Sequence, residues 1–145
     1  MRLHRLRVQA FLAFAGQEVV DFDALAADGL FLLQGRTGSG KSALLDAVVF
    51  ALYGEVAGDR GDRLRSDHAA GADVTEVELE LTVRGRRLRI VRRPAQERQA
   101  RRGSRMVQGA HEVTVVELAA DGTELPIAGS PSEARAELES LLGMS

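Results

Sequence analysis

Leu6, Val8 and Ala10 alternate with Arg5, Arg7 and Gln9, a period of two that predicts a half-buried strand near the start of the chain. Gly16 interrupts that run, and Val19–Phe22 reads as the returning strand of a hairpin. Leu30–Leu33 is unbroken apolar sequence, the pattern of a strand buried on both faces. The period then changes. Leu44, Leu45, Val48, Val49 and Leu52 recur at spacings of three and four, which predicts a helix from Lys41 to about Tyr53, stopped by Gly54.

Residues 55–73 are polar and turn-rich and predict a surface loop. A strand is expected over Val74–Val83. Its Val77, Leu79, Leu81 and Val83 face one way and Glu76, Glu78, Glu80 and Thr82 the other, so the second face should be acidic and wet. Arg84-Gly85 is a turn candidate, and Leu88–Val91 is the next strand. Pro94–Ala110 lacks any period and reads as a basic loop. His111–Leu118 alternates again, and Asp121-Gly122 signals a hairpin turn into Leu125–Ile127. Ser130, Pro131 and Glu133 form a capping box for a helix over about 131–142. Ala134, Leu138, Leu141 and Leu142 make its apolar stripe, and Gly143 is its stop.

Composition adds limits. With 145 residues, 45% hydrophobic and 28% charged, the chain suits one globular unit or part of a larger one. It has no cysteine, which excludes disulfides, thiolate metal sites and a cysteine nucleophile. His4, His68 and His111 are too scattered to suggest a metal cluster. No apolar run approaches the roughly 20 residues of a membrane helix. Met1–Arg7 is basic and Val8–Ala15 mostly apolar, ending in Ala13-Phe14-Ala15, but Gln9 breaks this imitation of a secretory leader. A cytoplasmic protein is expected.

The net charge of −2 hides an asymmetry: between Arg84 and Arg105 ten arginines meet one acid, Glu97, a local +9. Within this basic hairpin or loop at 84–110, Arg86, Arg87, Arg98, Arg101 and Arg102 are candidate contacts to a phosphodiester backbone. No aromatic residue is interleaved, so a base-stacking platform is not expected. A solvated loop would carry the same charges.

Chemistry is concentrated at Gly35-Arg36-Thr37-Gly38-Ser39-Gly40-Lys41-Ser42, a full match to G-x-x-x-x-G-K-[ST]. Glycine at positions 35, 38 and 40 permits backbone angles that turn successive N–H groups onto one anion. The following helix adds its unsatisfied donors and positive dipole end. Lys41 then places a cation on the β- and γ-phosphates, and the Ser42 hydroxyl joins a Mg²⁺ shell. The context agrees, with an apolar strand before the loop and an amphipathic helix after it. Lys41 is also the only lysine in the chain. ATP with Mg²⁺ is the expected ligand. Val113–Glu117 superficially suggests the strand that carries a second metal ligand and a catalytic base, but it lacks the Asp and runs into a turn.

Gly29–Leu33, Thr37–Ser42 and Leu44–Gly54 resemble the opening of the SbcC family, the ATPase subunits of bacterial SbcCD nucleases, which are related to SMC proteins. Leu6–Phe11, Phe14-Ala15-Gly16, Val20-Asp21-Phe22 and Leu64–Ala69 fit as well. The resemblance implies an α/β fold, the N-terminal lobe of an ABC-type P-loop ATPase head over residues 1–145, with mixed and antiparallel strands around the P-loop helix. It implies two heads sandwiching ATP, a second copy of the same chain, an SbcD-like nuclease partner and double-stranded DNA. Leu12-Ala13 departs from the Gly-Pro that family members commonly carry after the residue matched by Phe11. The family's Q-loop, Ser-Gly-Gly signature, Walker B Asp-Glu and switch His have no match, so the resemblance implies a first lobe that binds nucleotide without turning it over. RecF, SMC and transporter ATPases are the rival P-loop readings; Asp46 and Ala51–Gly54 speak against a transporter. A vestigial P-loop beside a DNA-binding hairpin is the reading from another class.

Overall fold

The computed structural model describes residues 1–25, 41–56, 64–71 and 73–143. Strands β1 (Arg2–Phe11) and β2 (Phe14–Asp21) form the first hairpin, with Leu6 opposite Val20 and Val8 opposite Glu18. Gly16 lies inside β2 and does not break it; the chain reverses at Leu12-Ala13. That turn is fixed from outside, since Leu12 N–H donates to the Leu64 carbonyl at 2.8 Å while Leu12 sits at φ 47°. Phe22, expected to end the strand, instead opens the short helix α1 (Phe22–Leu25). The Asp21 carboxylate accepts Ala24 N–H at 3.1 Å and turns the chain there.

Helix α2 (Lys41–Tyr53) matches its expected span and stops at Gly54, whose φ is +81°. The segment read as a surface loop is exposed at Glu55, Asp67, His68, Ala70 and Gly71, but it is anchored to the core in the middle. Leu64 and Ser66 are buried, Arg65 bridges to Phe11, and Ser66 N–H donates to the Ala10 carbonyl at 2.9 Å. Its residues 57–63 lie outside the described residues, as does the expected strand Leu30–Leu33.

Strands β3 (Glu76–Val83) and β4 (Arg86–Arg93) join through Arg84-Gly85, both at positive φ as a tight hairpin turn requires. Pro94–Ala110 is not a featureless loop. It holds a two-stranded hairpin, β5 (Gln96–Gln99) and β6 (Met106–Gly109), with Arg98 opposite Val107. Gln96 roots it: the buried amide accepts Thr75 N–H at 2.8 Å and donates to the Thr75 carbonyl at 2.9 Å. Strands β7 (Glu112–Leu118) and β8 (Glu124–Ala128) complete the main sheet. Its order is β2-β1-β3-β4-β7-β8, antiparallel at every described pairing. Pro126 stands in the edge strand β8, where a missing donor is tolerated.

One face of the sheet carries Leu6, Val8, Val77, Leu79, Leu81, Leu88, Ile90, Val113 and Val115 into a core shared with α2 and the last helix, α3 (Pro131–Leu142). Helix α2 covers β1, β3 and β4, and α3 covers β7 and β8. The α3 cap forms as expected at Ser130, whose hydroxyl accepts Glu133 N–H at 3.3 Å. The Glu133 carboxylate reaches one residue further back than a capping box requires, to Gly129 N–H at 2.9 Å. Gly143 closes the helix at φ 73°. Ser130→Ala is expected to lower stability by about 1 kcal/mol, read as a shift of the urea midpoint with unchanged slope.

Candidate functional site

Gly35, Arg36, Thr37, Gly38, Ser39 and Gly40 lie outside the described residues, as does the Lys41 side chain. The helix after them is described. Lys41 is the first residue of α2 and Ser42, exposed, the second, so the motif ends where a helix presents its free N–H groups. Because α2 is 13 residues long, its C-terminal end lies about 20 Å from its start at Lys41.

That far end is clasped by two residues absent from the sequence-based candidates as a site. Arg92, 3% exposed, donates from Nε to the Ala51 carbonyl at 3.1 Å, a cation against the negative end of the helix dipole. Its Nη1 lies 3.3 Å from His111 Nε2. An arginine can only donate, so His111 accepts through Nε2 and carries its proton on Nδ1. The His111 ring stacks on Phe50 at 5.8 Å, and Phe50 packs against Phe11 at 5.9 Å. Burial lowers the Arg92 pKa to about 10. Burial first, and then the Arg92 charge, holds His111 below its ordinary value. A signal for Arg92 was present: it continues the inward alternation of Leu88 and Ile90 along β4.

The basic island divides. Arg86 bonds Glu117 at 2.8 Å, Arg87 bonds Glu80 at 3.2 Å, Arg89 bonds Glu124, and Arg93 bonds Glu76 at 2.6 Å. Glu76 also accepts from Arg7, and Glu78 pairs with Arg7 at 3.1 Å and Arg5 at 3.5 Å. The face expected to be acidic and wet is therefore a lattice of both signs, because the neighbouring strands β1 and β4 bring arginines beside the glutamates of β3. Arg101 and Arg102, by contrast, are exposed on the β5–β6 tip, and no carboxylate among the described residues bonds them. Arg98 is on β5, its side chain outside the described residues. Glu117, in the rejected Val113–Glu117 stretch, is tied to Arg86, which holds its carboxyl below the ordinary range.

A second array sits at the start of β1. His4 Nδ1 lies 2.9 Å from both Asp23 oxygens and Nε2 2.7 Å from the Thr82 hydroxyl. The His4 hydrogen bond, aided by Arg2 at 3.1 Å, lowers the Asp23 pKa. These bonds tie α1 to β3 through His4. Among the described residues no group of three acids or histidines could hold a metal ion, and no helix is long and apolar enough to cross a membrane.

A family model described as an AAA domain matches residues 5–134. The chain is 44% identical over 146 aligned positions to the SbcC subunit of the SbcCD nuclease of Vibrio cholerae, across 99% of this chain and 14% of that protein. It is 37% identical to the Staphylococcus haemolyticus protein of the same name over 94 positions, 63% of this chain and 9% of that protein. It is 34% identical over 94 positions to a probable DNA double-strand break repair Rad50 ATPase of Aquifex aeolicus, again 63% of this chain and 9% of the relative. The chain thus spans 14% or less of the length of these relatives. The mostly antiparallel sheet with few helices suits the N-terminal lobe of such an ATPase. The chain belongs to the AAA domain family, in its SbcC-like branch.

Proposed function

We propose that residues 1–145 form the N-terminal lobe of an SbcC-like ATPase head and supply the triphosphate half of a composite Mg·ATP site. One observation carries this reading: a complete P-loop motif ends on Lys41 and Ser42 at the start of a helix whose other end is fixed into the core. In the reading, the N–H groups from Gly35 to Gly40 and the start of α2 cradle the phosphates. Lys41 neutralises the β/γ oxygens, and Ser42 ligates Mg²⁺. A second copy of the head would close over the nucleotide, and an SbcD-like nuclease would process DNA ends under its control in the cytoplasm. The chain carries no Walker B Asp-Glu and no Ser-Gly-Gly signature of its own. Binding without turnover is therefore the expected result for the 145-residue chain. Calorimetry with Mg·ATP should show saturable binding weakened about tenfold in Lys41→Ala, the loss of one charge-assisted contact. Steady-state hydrolysis abolished by that substitution would overturn the half-site reading.

For double-stranded DNA, the free charges favour the hairpin tip over the sheet. Arg101 and Arg102, with Arg98 beside them, are the proposed phosphate contacts, whereas Arg86 and Arg87 already have carboxylate partners. Arg101→Ala with Arg102→Ala is expected to weaken duplex binding uniformly across sequences and reduce the salt slope by about 2. Arg86→Ala should leave that slope unchanged. Filter binding at several salt concentrations separates the two, and equal effects would remove the tip from the DNA site.

A further inference from the structure

Arg92 is the one buried cation among the described residues, and no carboxylate there bonds it. Its neighbours along β4, Arg89 and Arg93, each bond a glutamate. A guanidinium removed from water without a counter-charge is costly. The carbonyl end of α2 offsets part of that cost through Ala51, at 3.1 Å from Nε. Of the five N–H groups of the fork, those not directed at Ala51 and His111 remain for another acceptor.

Arg92 lines a cleft of about 330 Å³ between the end of α2 and one face of α3, together with His111, Gly54 and Leu52 among others. The size suits one small ligand or one polar side group. A Cβ at Gly54 would lie 2.8 Å from Arg92 Nη1 and 3.1 Å from His111 Cε1, so the glycine leaves the space the two side chains occupy. His111 lines the cleft as well, and its neutral ring has one N–H to donate. Helix α3 lines the cleft along its length, from Pro131 to Leu142, and its Arg135 adds a second cation to the wall. Two acids also line the cleft. Glu139 is held by Arg135 at 2.9 Å, and Glu55 is exposed, where solvent screens it.

We propose that this cleft binds a small anionic group, a carboxylate or a phosphate, gripped by Arg92 and His111 between α2 and α3. An occupant there would bridge the end of α2 opposite Lys41 to the last helix of the lobe. The site needs no nucleotide, so it can be tested with the P-loop disabled.

The 145-residue chain carrying Lys41→Ala is titrated with sodium phosphate and, separately, with sodium acetate at constant ionic strength. NMR follows the Gly54 amide and the His111 ring. Saturable shifts at both residues are expected. The His111 pKa should rise on saturation, because an adjacent anion favours the imidazolium. Arg92→Met should weaken binding about tenfold or more. His111→Phe, which keeps a ring on Phe50 but has no donor, should weaken it as well and serves if Arg92→Met does not fold. Tighter binding of phosphate assigns a phosphoryl ligand, and tighter binding of acetate a carboxylate; either supports the site. No saturable response to either anion, or a response that Arg92→Met and His111→Phe leave intact, overturns it.

Discussion

Phe50→Ala is expected to destabilise the fold by about 3–5 kcal/mol. Besides Phe50 and Leu52, the buried residues of helix α2 are the small Ala43, Ala47 and Ala51. These let the helix lie close, but they bury little area each. Phe50, 1% exposed, supplies the largest apolar contact, tilted at 36° to Phe11 and stacked on His111. Its removal opens a cavity that the alanines beside it cannot fill, and it leaves His111 without the ring it stacks on. A loss of that size is a large share of the roughly 5–15 kcal/mol that holds a typical domain folded. Phe50→Leu keeps most of the volume and should cost about 1.5 kcal/mol or less. Guanidinium titrations of the two variants decide the matter. A Phe50→Ala cost below about 1 kcal/mol would mean that α2 is held chiefly by its clasped end.

Much of this arrangement is legible in the sequence, and the failures share a cause. Helices α2 and α3 are legible because their periods, caps and stops are local. The inward face of β3 is legible for the same reason. The first hairpin misleads because its turn lies at Leu12-Ala13, held by Leu64 some fifty positions away, while Gly16 offers the obvious local break. Likewise the glutamates of β3 look solvent-bound until the strand order is known. Only the pairings of Arg7 with Glu78 and of Glu80 with Arg89 across β1, β3 and β4 show what they face. The β5–β6 hairpin has no apolar period to read, since it is rooted by one amide, Gln96 on Thr75. The candidate nucleotide site is legible as eight residues, whereas its far support, Arg92 and His111, comes from strand β4 and the residue before β7, which only the folded sheet brings to α2.

The same long-range pairing makes Glu76 the acid whose neutralisation should cost most. It is 8% exposed and accepts from Arg7 and from Arg93 Nε at 2.6 Å. Burial alone would push its carboxyl up, but the two guanidiniums outweigh burial and leave it below its ordinary value of 4.5. A depressed folded-state pKa means that the stabilisation is fully present above the unfolded value near 4.5 and fades as pH falls through the folded one. Glu76→Gln at neutral pH keeps the shape and removes the charge. A fully buried pair broken in this way loses about 3–5 kcal/mol. The loss here should be nearer 2 kcal/mol, because Arg93 is partly in water and Arg7 keeps Glu78 at 3.1 Å. Urea titrations at a series of pH values should show the gap between wild type and Glu76→Gln constant above pH 6 or so, then closing as the wild-type carboxylate takes up its proton. A gap that persists unchanged into acid would mean that Glu76 acts through its shape and hydrogen-bonding geometry, and that the lattice of charges over this face is neutral to stability.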